Sequence, residues 1–109
     1  LEKNASAQVY NSLCGIFLEV GKLAEAEKAI NEAISLQMHV DYMLRKSRII
    51  GRMGKKGKEI EMLYEIVFKF PENKAAFSQL KNCLANSNRN NELNFLRTYW
   101  QYDVLPSNE

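Results

Sequence analysis

The stretch AQVYNSLCGIFLEVGKLAEAEKAINEAISLQMHVD, residues 7–41, decides how the rest of the chain is read. Tyr10, Leu13, Phe17 and Val20 recur at intervals of three and four, which places them on one face of a helix. Gly21-Lys22 interrupts that pattern. Glycine costs about 1 kcal/mol in a helix interior and readily takes positive φ at a C-terminal cap, so the chain turns there. Leu23, Ala26, Ala29, Ile30, Ala33 and Ile34 then resume the helical spacing, with Glu25, Glu27, Lys28 and Glu32 as a solvated outer face. The stretch reads as a helical hairpin whose alanine-rich second helix can lie close against the first.

Outward from this hairpin the pattern recurs, as expected for stacked repeats. A shift of 34 carries Tyr10 to Leu44, Ala26 to Ile60, Ile30 to Tyr64, Ala33 to Val67 and Ile34 to Phe68, apolar onto apolar. Leu13 falls on Ser47 and Phe17 on Gly51, so the first helix of the second unit is its weaker half. Gly54-Lys55-Lys56-Gly57 supplies its turn, and Phe70-Pro71-Glu72-Asn73 ends it, since proline cannot continue a helix. A further shift of 33 carries Leu44 to Phe77, Ser47 to Leu80, Gly51 to Leu84, Ile60 to Leu93 and Val67 to Trp100, with Asn86 to Asn91 as the third turn.

The expectation is one all-α array, a short right-handed α-α superhelix of three helix-turn-helix repeats over 7–41, 42–73 and 74–103. Residues 1–6 and 104–109 are tails, and the first helices line the concave side. Tyr99, Trp100 and Tyr102 are expected to cap the last hairpin.

Composition narrows the function classes. The chain has 109 residues, 46% of them hydrophobic, enough for one domain-sized core. Leu13 to Leu18 is its longest uncharged apolar run, far below the roughly 20 residues of a membrane helix, so a soluble protein is expected. No basic-then-apolar signal segment stands at the start. Cys14 and Cys83 lack metal or redox spacing and read as buried small hydrophobes in a reducing compartment. His39 has no carboxylate or thiol at ligand spacing and reads as a loop residue. There is no phosphate loop, nucleophile elbow or paired inner carboxylate, so neither an enzyme nor a cofactor is expected.

The period and anchors resemble both the tetratricopeptide and the pentatricopeptide repeat families. Tyr10, Leu13, Phe17, Gly21, Ala26, Ile30 and Ala33 fit the tetratricopeptide pattern, with Cys14 in place of its Gly and Met38 in place of its Pro. Tyr10-Asn11-Ser12-Leu13 and Gly21-Lys22-Leu23-Ala24-Glu25-Ala26 resemble the pentatricopeptide start and turn, in a unit of 35 residues closed by Asp41. The second resemblance implies a single-stranded RNA-binding segment in a mitochondrion or chloroplast, acting in RNA processing, stability or translation. In it Asn11 and Asp41 would read one base, a pairing that implies uracil. Asn11 also suits an ordinary helix surface, and Asp41 the N-cap of the next helix. The second unit has Arg45 or Lys46 at the reading position, closed by Asn73; the third has Ser78, closed near Asn108. The first resemblance implies a protein-protein interaction scaffold holding a peptide in its groove.

Charge bears on both. The net charge is +2, but between Asp41 and Glu59 there is no acidic residue and seven of the 15 basic ones. Arg45, Arg48 and Arg52 form one stripe on a helix beside Asn11, Ser78 and Asn82. These residues would contact RNA phosphates, or Asn11, Arg45, Arg52 and Asn82 would grip the carboxylate of an acidic peptide; a solvated face is the third reading. Three repeats reach only a few nucleotides, which implies further repeats or an oligomer.

Overall fold

The computed structural model describes residues 3–87 together with Arg89 and Glu92. Five helices follow one another among them: α1 (Lys3–Glu19), α2 (Leu23–Leu36), α3 (Val40–Arg52), α4 (Lys56–Lys69) and α5 (Lys74–Asn86). No strand occurs among the described residues, and the fold is an all-α helical repeat. The second helix of the third hairpin, the aromatic cap and Asn108 lie outside the described residues.

Identical caps set the repeat. After α1, Gly21 takes φ 79°, its amide donates to Leu18 (3.1 Å) and the Lys22 amide donates to Phe17 (2.9 Å). After α3, Gly54 takes φ 89°, donating to Gly51 (3.0 Å), and Lys55 donates to Ile50 (3.2 Å). These are matching Schellman motifs, which satisfy carbonyls left over at a helix end. The Arg89 amide repeats the longer bond, donating to Leu84 at 2.9 Å. From Lys22 to Lys55 is 33 residues and from Lys55 to Arg89 is 34, so the register is the reverse of the 34 and 33 expected. Under it Asn11 corresponds to Leu44 and then Ser78, and Ala26 to Glu59.

The chain divides into two compact units, Leu1–Glu59 and Ile60–Glu109. In the first, α1 lies against α2 and α2 against α3. Ala7, Cys14, Ala26, Ala29, Ile30, Ala33, Tyr42 and Ile49 form its core, with Tyr10, Phe17, Leu18 and Met53 packed against it. The alanines of α2 are buried as the spacing predicts, but α1 is turned from the expected face. Cys14 and Ala7 point inward, while Leu13 and Val20 stand at the surface.

One compensation distinguishes α1 from α3 in this unit. Leu18 packs on the cluster that holds Ala26. One repeat later the sizes are exchanged, with Gly51 in place of Leu18 and Glu59 in place of Ala26. The Glu59 carboxylate lies in the space that a side chain at Gly51 would fill. It is only 4% exposed and accepts from Lys56 Nζ at 2.9 Å, so its charge is paired. The stretch 54–57 is therefore only partly a turn, since α4 begins at Lys56.

In the second unit Ile60, Leu63, Ile66 and Val67 of α4 are buried, as are Ala76, Phe77, Leu80, Cys83 and Leu84 of α5. Asn73 caps α5, its Oδ1 accepting from the Ala76 amide at 2.9 Å. Tyr64 donates to Glu92, which also accepts from Arg89.

Candidate functional site

Arg45 joins α3 to α1 within the first unit. Half-buried on α3, its Nη1 donates both to the Asn11 main-chain carbonyl and to Asn11 Oδ1, each at 2.9 Å. Gly15 lies one turn beyond Asn11, and the guanidinium is 3.6 Å from where a Cβ on it would stand, an ordinary contact distance. Cys14 lies beside it. Burial pushes that thiol up from its ordinary value, and the nearby Arg45 charge and hydrogen bond pull it the other way. Arg45, Asn11, Cys14 and Gly15 thus make one polar clasp across α1 and α3, of which Cys14 and Gly15 were missed in the sequence.

The other candidates are distributed differently. Arg48 and Arg52 are exposed, four residues apart on α3. Asp41 is also exposed, and the N-cap expected of it belongs to His39, whose Nδ1 accepts from the Asp41 amide at 3.1 Å. His39 is therefore a helix cap, not only a loop residue. Ser78 and Asn82 are exposed one turn apart on α5, in the second unit. The second hairpin places neither Arg45 nor Lys46 in the register of Asn11, but Leu44, which is 6% exposed. Asn73, expected to close that unit as a reader, has its amide oxygen committed to the α5 cap.

A second feature of the first unit is apolar. An open groove of about 260 Å³ runs between α1 and α2, floored by Tyr10, Leu13, Phe17 and Ala29 and edged by Glu25, Lys28 and Glu32. A depression of about 440 Å³ follows the loop Lys69 to Asn73 and gathers few functional side chains. Among the described residues no three His, Cys, Asp or Glu side chains converge as a metal site, and no helix is long and apolar enough to cross a membrane. Cys14 and Cys83 are buried, and neither forms a disulfide.

No protein-family model matches the chain. A protein named "Methyltransferase" from Gibberella zeae (strain ATCC MYA-4620) is 34% identical over 86 residues, 77% of this chain and 11% of that protein. The chain therefore spans about a tenth of the length of this curated relative. Among solved structures, the crystal structure of MamA protein superposes with a TM-score of 0.70 at 17% identity, over 97% of this chain and 63% of that one. The likeness is one of fold, and it supports the all-α helical repeat described above.

Proposed function

We propose that the chain is a protein-binding scaffold of the tetratricopeptide type, acting by binding and not by catalysis, whose α3 arginine edge takes an acidic peptide. The observation that carries the reading is the engagement of Asn11 by Arg45, together with the register it accompanies. A base-by-base reader needs a polar side chain at the same place in each repeat. Here that series runs Asn11, Leu44, Ser78; the first amide oxygen is held by Arg45 and the second member is buried and apolar. Arg48 and Arg52 remain at the surface in an order suited to charge-assisted bonds with carboxylates. In a polypeptide as long as the Gibberella relative, such a segment would serve as a docking module beside other domains.

The test is a titration of an acidic peptide with a free C-terminal carboxylate, in parallel with a short uridine-rich strand, at low and high salt. Saturable peptide binding that weakens with salt and is lost when Arg48→Ala and Arg52→Ala are combined is expected. Saturable binding of the uridine-rich strand with none of the peptide would overturn the reading in favour of single-stranded RNA.

A further inference from the structure

The strongest unassigned feature is the outer face of α1. Val9, Leu13, Ile16 and Val20 are 60%, 38%, 57% and 63% exposed, and their spacing of four, three and four aligns them along one side of the helix. From Asn4 to Leu18 there is no charged residue to keep that side in water. The stripe adjoins the apolar groove floored by Tyr10, Phe17 and Ala29, so the open surface is continuous.

The repeat register shows what covers such a surface. One repeat later, 33 residues on, the same four places hold Tyr42, Lys46, Ile49 and Met53. Tyr42 and Ile49 are 7% and 1% exposed, and both belong to the core that α2 shares with α3. Met53 packs against the same cluster. The side of α3 that α2 covers is thus the side that α1 leaves open.

We propose that this face of α1 is a seat for the second helix of one more hairpin, stacked in series ahead of the first in the same polypeptide. Its occupant is an amphipathic helix with an aliphatic and alanine stripe like that of α2. Charge refines the description. The open seat offers no basic residue on α1, and its rim on α2 carries Glu25 and Glu32 against the single Lys28, so the occupant's flanks are neutral or basic. Both compared proteins are longer than this chain, leaving room for such a repeat. The inference concerns a different face from the arginine edge and does not rest on peptide binding there.

The experiment duplicates residues 7–39 in tandem within the 109-residue chain, once unchanged and once with Glu25→Lys, Glu27→Lys and Glu32→Lys in the added copy. In both, Ile16→Cys in the original α1 is labelled with a maleimide and read by mass spectrometry. Labelling slowed at least about tenfold relative to the chain without the insert, more so with the lysines, is expected. Labelling as fast as without the insert, in both versions, would overturn the proposal. So would reversible dimerisation of the unextended chain in sedimentation that Ile16→Glu abolishes, because the face would then belong to a second copy.

Discussion

Helices α1 and α3 occupy the same place in successive hairpins, end in the same cap and present opposite surfaces. α1 is uncharged from Asn4 to Leu18 and shows aliphatic side chains to solvent; α3 carries Arg45, Lys46, Arg48 and Arg52 and buries Tyr42 and Ile49 under the preceding hairpin. The backbone plan is shared, so the surfaces must reflect neighbours: α3 has its covering helix in α2, whereas α1 displays the surface such a helix would cover. The contrast extends inward, where Leu18 with Ala26 and Gly51 with Glu59 solve one packing problem with the large and small residues exchanged.

The largest effect is expected where that exchange is broken. Gly51→Leu drives the Glu59 carboxylate from its place and should cost about 1–3 kcal/mol in urea unfolding, as overpacked cores do. Adding Glu59→Ala recreates the Leu18 and Ala26 arrangement and should return stability to within about 1.5 kcal/mol of the original. If the double variant is as unstable as the sum of the singles, the two positions do not compensate. Next comes the clasp. Arg45→Ala removes two charge-assisted bonds at a half-buried site and should cost about 1.5–3 kcal/mol, while Asn11→Ala removes one and should cost about half as much. Equal losses would show that the main-chain bond contributes nothing. In the second unit, Asn73→Ala deletes the α5 cap for about 1 kcal/mol, read from the same denaturation curve.

The smallest effect is with pH. Burial raises the Cys14 thiol above its ordinary value, and burial with the Glu92 hydrogen bond raises the Tyr64 phenol above its own. A group with a raised native value contributes stability in full below its unfolded value and loses it as pH climbs toward the folded one. Urea midpoints should therefore decline through the alkaline thiol and phenol ranges, and Cys14→Ala should remove the earlier part of the decline. A midpoint unchanged into strong alkali would refute this.

The hairpins, their glycine turn and the buried face of α2 were legible because helical periodicity and positive-φ glycine are local properties. The register between hairpins was not, and Glu59 is the reason. With the true spacing of 33, Ala26 falls on a carboxylate, and matching apolar residues alone prefers 34, which sets Ala26 on Ile60. That a glutamate could stand in a core position depended on Gly51 and Lys56, one in the preceding helix and one a turn earlier. The single-residue slip moved the reading position from Leu44 to Arg45 or Lys46, while the ligand role expected of Arg45 came from its spacing with Arg48 and Arg52; in the structure its Nη1 bonds to Asn11 of α1. The rotation of α1 was likewise concealed: Leu13 and Val20 are as apolar as any core residue, and only the covering helix distinguishes a buried stripe from an open one.

The Arg45 clasp has one property that bears on how such repeats drift over time. One of its two acceptors is the Asn11 side chain, but the other is the peptide carbonyl of the same residue, which every amino acid supplies. Substitution at position 11 can weaken the link between α3 and α1 but cannot abolish its main-chain half. A change of side chain at position 11 therefore costs part of the link and leaves the rest, whereas a change at position 45 removes both bonds.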